Sequence, residues 1–336
     1  MRQEETGIAM YRFSTGGLPA GERVEAWRNT MEQALASADF EALPGTPFSQ
    51  AASIHIMPRL SLVAGGGSGS FVRRTKEHIA ADGASAVYLQ IQVEGTAQIS
   101  QLGCERQLSA GEGILVSGAE PASKLNPGPV RYIAIKAPDG ALRALAADPE
   151  DALMRPIPPD NQALRLLKGY LLAADRDDPL LFGPNPSLEV VSAFTVHVHS
   201  LMALAIGAVR EDSREAAGLG VRAARLYEIK AYIARNLGRT ALSVPEVAER
   251  HGVTPRYVQM LFAAEGVTFS EYVLGRRLAQ ARQMLTEPAF TSRSISSIAF
   301  EAGFADLSHF NKAFRRRFGA TPTDVRFAVA SVLAMK

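Results

Sequence analysis

The sequence predicts an α+β protein of two domains: an N-terminal β-barrel with flanking helices, and a C-terminal all-α domain with two helix-turn-helix motifs. Three observations predict this fold class. The 336 residues, 47% of them apolar, are enough for two hydrophobic cores. Residues 53–136 contain short apolar runs separated by Gly, Pro and Asp-Gly turn signals. Beyond residue 219, apolar residues recur at helical spacing without strand-like alternation.

The composition narrows the class of protein. An apolar content of 47% with 21% charged residues excludes a disordered chain and a collagen-like fibre. The single cysteine, Cys104, excludes an intramolecular disulfide and a zinc site made of several thiolates. The first residues lack the apolar core of a secretory signal, and the apolar stretch 201–209 is about half of the ~20 residues that a membrane span needs. We therefore expect a cytoplasmic protein.

The charge of the chain is unevenly distributed. Residues 219–336 contain 17 Lys and Arg against 9 Asp and Glu, whereas residues 1–218 contain 19 against 25. A basic C-terminal third on an acidic remainder predicts that the C-terminal part binds a polyanion such as nucleic acid.

The N-terminal domain is predicted over residues 1–210. Residues 21–37 repeat apolar side chains at helical spacing and predict an amphipathic helix before the strands. Residues 88–94 alternate strictly between apolar and polar and predict a strand. Seven or eight such short strands favour a barrel or a double-sheet jelly roll. Two helices are predicted to follow, at 161–174 and 187–211, and their apolar faces either form a dimer interface or cover the barrel.

The polar, Gly-containing residues 211–221 predict a linker, and residues 222–336 form the second predicted domain. Its first helix-turn-helix lies within residues 242–266. Ser243 and Glu246 predict a capping box, and Gly252 predicts the end of the first helix. Thr254 and Pro255 predict the start of the second helix. That helix is expected to bury one apolar face and to present its polar N-terminal half to a DNA major groove.

A second copy of the pattern occupies residues 294–319. Asp306 is predicted to cap its second helix, whose phenylalanines at helical spacing predict a buried stripe. Between the copies, residues 270–286 predict a connecting helix of roughly 25 Å. Such a helix is expected to hold the two recognition helices near ~34 Å apart, one turn of DNA. Gly275 within it is interpreted as a position that relieves crowding.

These residues resemble a known family. Residues 222–328, with the motif IAFEAGF at 298–304 and the following SHFNKAFRRRFGATP, resemble the DNA-binding domain of the AraC/XylS family of bacterial transcription regulators. The resemblance implies binding of promoter double-stranded DNA, and contact with RNA polymerase if the protein is an activator. It implies base readout by three residues of each recognition helix: Arg256, Gln259 and Met260 in the first, and Ser308, His309 and Lys312 in the second.

Three further residues of the two recognition helices are candidates for contact with DNA. Arg315 and Arg316 are expected to contact phosphates. For Tyr257, packing at the helix edge and phosphate contact are equally compatible with the sequence. Many members of the family carry Arg where this chain has Met260, so an apolar contact with a thymine methyl is expected there instead of a guanine contact.

The N-terminal 210 residues resemble the cupin-like effector-binding domain of the same regulators, through the segments at 24–28, 71–75, 88–92 and 108–113. The resemblance implies a small-molecule sensor and a homodimer. The candidate effector-binding residues are polar residues of the predicted strands and a tryptophan, each of which has a solvent-facing or packing role as its alternative: Trp27, Arg59, Arg73, Gln90, Gln92, Gln98 and Arg131. Since the planar guanidinium suits a carboxylate, a carboxylate is the expected class of effector.

We expect neither a metal nor another cofactor, and no enzymatic activity. His197 and His199 point about 200° apart on a helix, so one ion does not reach both. The barrel strands contain His55 and His78 without the spacing of a metal-binding cupin. Two alternatives remain at this point: a constitutive DNA-binding protein with a vestigial pocket, and a cupin-type metal enzyme with a DNA-binding tail.

Overall fold

The computed structural model describes residues 8–83, 86–146, 148–174, 186–207 and 214–327, without the side chains of 214–217 and 288. The chain divides into two compact units, with the boundary between Arg225 and Leu226. The first unit is β-rich and the second is helical, which confirms the predicted fold class.

The strands of the first unit form two antiparallel sheets. A seven-stranded sheet has the order β1-β3-β4-β11-β6-β9-β12, and a five-stranded sheet has the order β2-β5-β10-β7-β8. The strands are β1 (Ala9–Ser14), β2 (Asp39–Ala42), β3 (Gln50–Met57), β4 (Leu60–Gly67), β5 (Ser70–Arg74), β6 (Ala86–Glu94), β7 (Ala97–Gln101), β8 (Cys104–Leu108), β9 (Gly113–Ser117), β10 (Ala122–Asn126), β11 (Val130–Pro138) and β12 (Pro156–Ile157).

Strand β6 is buried on both faces. Leu89 and Ile91 pair with Ile135 and Ile133 of β11, and all four side chains are fully buried. The intervening Gln90 points into the space between the two sheets, where it lines a cavity. The alternation of apolar and polar residues predicted here is therefore correct, but the polar face of this strand turns inward.

Helices cover the barrel. They are α1 (Arg23–Ala34), α2 (Lys76–Asp82), α3 (Asp139–Arg143), α4 (Gln162–Ala174) and α5 (Leu188–Ala205). Trp27 and Met31 of α1 pack with Ile54 and Val63 of the large sheet. Leu164 of α4 lies so close to β9 that a methyl group on Gly113 would sit 3.0 Å from it. Helix α4 therefore covers the sheet, one of the two roles left open by the sequence.

Helix α5 is, among the described helices, the one whose length and composition would suit a membrane span. More than half of its residues are buried inside the protein (56%), as in the core helix of a globular domain. Phe194 of α5 packs against Tyr170 of α4, with the ring centroids 5.1 Å apart. The last residues of the predicted helix 187–211 lie outside the described residues from 208 on.

Helix α6 (Arg214–Arg235) contains the boundary between the units. The described part of the second unit further contains helices α7 (Val244–His251), α8 (Pro255–Ala263), α9 (Phe269–Thr286), α10 (Ile295–Glu301) and α11 (Leu307–Phe318), with a further helical turn at 322–327. The predicted linker 211–221 is helical from Arg214 onward, where α6 begins. The polar residues and Gly218 and Gly220 are tolerated there because a helix accepts an isolated glycine at a modest cost.

Two hydrophobic clusters build the second unit, and α9 contributes to both. Its Phe269 and Val273 pack with α6, α7 and α8, whereas its Leu278 and Leu285 pack with α10 and α11. Each cluster encloses one helix-turn-helix, so α9 is the shared element between them.

Candidate functional sites

The first helix-turn-helix is formed by α7 and α8. The Ser243 hydroxyl accepts a hydrogen bond from the Glu246 N–H, and Gly252 ends α7 in the left-handed region with φ 63°. The Thr254 hydroxyl accepts from the Tyr257 N–H at 3.2 Å and begins α8. The predicted start and end of α7 and the predicted start of α8 are confirmed.

The predicted capping box at Ser243 is wrong in one half. The Glu246 carboxylate does not return to the Ser243 N–H but accepts a hydrogen bond from the Tyr232 hydroxyl at 3.0 Å and pairs with Arg239 at 2.6 Å. An ion pair between Glu246 and the Arg239 guanidinium competes with the capping hydrogen bond, and Arg239, which follows α6, lies within reach. The carboxylate thus joins α7 to the end of α6.

One face of α8 is buried and the other is exposed. Val258, Leu261 and Phe262 are at most 3% exposed. The predicted base-reading residues of this helix, Arg256, Gln259 and Met260, are all exposed. Tyr257 is half-buried and packs against the first cluster, so the structure supports a packing role for its ring.

The second helix-turn-helix repeats the arrangement with α10 and α11. Asp306 accepts a hydrogen bond from the His309 N–H at 2.6 Å and caps α11, as predicted. Phe310 and Phe314 are fully buried, and Phe318 is half-buried. The predicted DNA-facing residues of this helix are exposed: Ser308, His309, Lys312, Arg315 and Arg316.

Some other cations of this unit are held by protein groups. Arg239 and Arg293 pair with carboxylates, and Arg277 donates to two backbone carbonyls. In the described part of the chain, Arg256 and Lys312 make no ion pair, and the same holds for Arg316. Cations that the protein leaves unpaired at the surface are available for phosphates or base edges.

A cavity of about 150 Å³ lies in the barrel. Its wall is mostly apolar and aromatic, and includes the predicted Trp27 and Gln90 together with Phe40, Tyr88 and Tyr132. Among the cations of the barrel, Arg74 and Lys124 line it. Sequence reasoning missed both, because neither residue type nor spacing tells which face of a strand points inward.

Five predicted effector-binding residues do not line this cavity. Arg73 and Arg131 are exposed and pair with Asp39 and Glu94. Gln98 is exposed beside Glu105, and Arg59 is exposed in the turn between β3 and β4. Gln92 is buried, but its amide donates to the Glu94 carbonyl. Long polar side chains on the outer face of a sheet or in a turn extend into water, which explains the four exposed positions.

The histidines of the first unit differ in burial: His55 and His199 are buried, whereas His78 and His197 are half-buried. The Tyr170 hydroxyl lies 3.3 Å from His197 Nδ1, and burial lowers the pKa of His199 to about 4. The His78 ring accepts from the Thr75 N–H at the start of α2. Within the described ranges, no three His, Cys, Asp or Glu side chains are grouped so as to hold a metal ion.

Comparisons with known proteins match both units. Residues 27–188 match the family model of the AraC-binding-like domain, and residues 247–327 match that of the helix-turn-helix domain. The transcriptional activator RhrA of Rhizobium meliloti (strain 1021) is 44% identical over 107 residues, which are 32% of this chain and 34% of RhrA. The chain thus spans about a third of that relative. The transcriptional activator NphR of a Rhodococcus species is 26% identical over 327 residues, 94% of this chain and 92% of NphR.

Among solved structures, the AraC-like transcriptional activator CuxR aligns with a TM-score of 0.49 and 20% identity, covering 81% of this chain and 95% of that one.

Proposed function

Because the chain belongs to the AraC family of transcription regulators, we propose that it binds specific promoter sequences through α8 and α11 and activates transcription in response to a small molecule held in the barrel. The observation that supports this most is the pair of capped helices, each with a buried apolar face and an exposed polar face that carries, among the described residues, a cation without an ion pair: Arg256 in α8 and Lys312 in α11. The names of RhrA and NphR, both transcriptional activators, support the direction of regulation. The proposed place of action is the cytoplasm, where promoter DNA and RNA polymerase are found.

The two faces have different proposed roles. Arg256 and Gln259, near the start of α8, read base edges, and Met260 contacts a thymine methyl. Ser308, His309 and Lys312 lie in the corresponding part of α11. Arg315 and Arg316 follow a turn later and neutralise phosphates, which adds affinity for any sequence.

An anisotropy titration of the full chain on a DNA site obtained by in vitro selection tests these roles. Arg256→Ala is expected to weaken binding by about 1–3 kcal/mol and to relax sequence preference at one base pair. Arg316→Ala is expected to weaken binding to all sequences and to reduce the salt dependence of log Kd by about one phosphate contact. Met260→Arg is expected to shift the preference at its base pair from thymine towards guanine.

Arg106→Ala is the matched control, because Arg106 is an exposed arginine on β8 of the other unit. It is expected to leave binding unchanged. Equal affinities for wild type, Arg256→Ala and Arg316→Ala would show that the assigned faces do not bind DNA.

We further propose a homodimer through the outer side of α5. Its Leu188 and Val196 are 55% and 52% exposed, and Leu219 of α6, on the same apolar depression, is 58% exposed. Large exposed apolar side chains that cluster in this way mark association surfaces. Sedimentation of Val196→Asp is expected to give a monomer where the wild type gives a dimer, and an unchanged dimer would exclude this surface.

A further inference from the structure

The cavity in the barrel holds two cations of very different surroundings. The guanidinium of Arg74 is fully occupied by protein: Nη1 and Nη2 each donate to the Asp82 carboxylate at 2.8 Å, Nη1 also donates to the Ser37 carbonyl, and Nε and Nη2 donate to the Gly118 carbonyl. These bonds tie β5 to α2 and to the segment after α1. Arg74 therefore holds the wall of the cavity together and has no donor left for a ligand.

The ammonium of Lys124, on β10, has far fewer protein partners than the guanidinium of Arg74. Its ammonium donates to Gln90 Oε1 at 2.8 Å and lies 4.5 Å from the ring centroid of Tyr132. No carboxylate pairs with it in the ranges that the structure describes. An ammonium has three donors, so two are left for another acceptor. Burial lowers the pKa of Lys124 to about 8. A buried cation without a counter-ion is costly, and an arriving anion would remove that cost.

A second unpaired polar group lies on the same strand. Asn126, two residues after Lys124, also lines the cavity and is 3% exposed. Its amide nitrogen donates to Ser70 Oγ at 3.1 Å, while its Oδ1 has no hydrogen-bond partner. Either orientation of the amide leaves one polar atom unpaired, since Ser70 satisfies only one of the two ends. Residues i and i+2 of a strand share a face, so the Lys124 ammonium and the Asn126 amide both face the cavity.

The size and wall of the cavity limit what binds there. A volume of about 150 Å³ suits a molecule with one six-membered ring or a short chain. The side chains of Trp27, Phe40 and Ile99 offer apolar contacts to such a body. A ligand of this kind needs a single anionic group, because Lys124 is, among the described residues of the wall, the one cation with donors to spare.

We propose that the barrel cavity binds a small monocarboxylate, with the carboxylate on the Lys124 ammonium and Gln90 holding that ammonium in place. This assignment rests on the proposed function, in which the barrel holds the effector, and it names the chemical class of that effector. Lys124 is the residue that distinguishes an acid from its neutral counterpart.

Calorimetric titration of the full chain with matched pairs of probes tests the assignment. The pairs are benzoate and benzamide, cyclohexanecarboxylate and its amide, and hexanoate and hexanamide. At least one acid is expected to bind the wild type tenfold or more tightly than its amide, as a charge-assisted hydrogen bond predicts. Lys124→Met is expected to lose that tenfold preference, and Lys124→Gln is expected to lose it as well.

Lys76→Met is the matched control, since Lys76 is exposed on α2. It is expected to keep the wild-type preference. Thermal unfolding followed by Trp27 fluorescence checks that each variant folds, and the two different substitutions at Lys124 protect against the failure of one of them.

Each outcome of these titrations either supports or overturns the assignment. An acid preference that survives in both Lys124 variants overturns the assignment, and so does the failure of every acid to bind the wild type. Amides that bind as tightly as acids overturn the anion preference but leave the barrel as an effector site, so the proposed function stands. DNA affinity, measured without any probe, tests the proposed function separately.

Discussion

At the scale of single residues, Lys124 gives the protein a pH-dependent stability. Burial lowers its pKa from 10.5 to about 8. Between these values the unfolded chain holds the proton and the folded protein releases it, so the free energy of unfolding rises with pH. From pH 8 to pH 10 the contribution of this residue amounts to about 2 kcal/mol.

The measurement is urea unfolding followed by the fluorescence of Trp27, the single tryptophan of the sequence. Wild type is expected to gain stability relative to Lys124→Met between pH 8 and pH 10. Tyr88 has a pKa raised to about 12 by burial, so it destabilises the fold only above about pH 10. Burial also lowers the pKa of Lys136, and the comparison with Lys124→Met separates the effect of Lys124 because Lys136 is present in both proteins. A difference between the two proteins that stays constant with pH would mean that Lys124 is not buried as described.

The sequence shows why Lys124 was not predicted. Strand β10, ASKLN, lacks the apolar alternation of its neighbours, and no strand was expected there. A single lysine in an apparent loop is normally a solvated charge. The pairing of β10 with β5 and β7 is long-range, and only this pairing turns the side chain inward.

At the scale of elements, the starts of helices were predictable from their capping side chains. Capping side chains at Thr254 and Asp306 marked the first turns of α8 and α11, because each satisfies backbone N–H groups that the helix itself leaves free. The barrel pocket was not predictable in this way. On a strand buried on both sides, such as β6, residue type does not tell the cavity face from the face under a helix.

The interpretation of Gly275 in α9 is wrong: a methyl group there would meet open space, so this glycine relieves no crowding. Gly275→Ala is therefore expected to stabilise the fold by about 0.5–1 kcal/mol through the lower entropy of the unfolded chain. Gly303, in the turn before α11, is the glycine at which the same substitution is expected to have the opposite effect on stability. It has φ 89°, and a methyl group there would overlap the Leu237 carbonyl oxygen.

Gly303→Ala is expected to destabilise the fold by at least ~2 kcal/mol, because the turn and the end of α6 would have to move apart. Urea unfolding followed by circular dichroism at 222 nm measures both variants. Shifts of the two midpoints in the same direction would contradict the description of α9 and of this turn.

At the scale of the whole molecule, the uneven charge of the sequence corresponds to the two units. The acidic remainder of the chain forms the barrel with its covering helices, and the basic part forms the helical unit with two exposed cationic faces. A ligand in the barrel changes DNA binding only if it binds two states of the protein with different affinity. A monocarboxylate that occupies Lys124 is expected to act through such a difference.

In the proposed DNA complex, α8 and α11 bind neighbouring major grooves on one side of the same duplex. Eighteen residues of α9 span about 27 Å, a length compatible with grooves one DNA turn apart. The most direct measurement is a hydroxyl-radical footprint of the full chain on its selected site, repeated with Arg256→Ala and with Lys312→Ala. Two protected segments per protomer, about 10 base pairs apart, are expected, with protection weakened in one segment by the first substitution and in the other by the second. A single protected segment, or the same segment weakened by both substitutions, would show that α8 and α11 do not bind separate grooves.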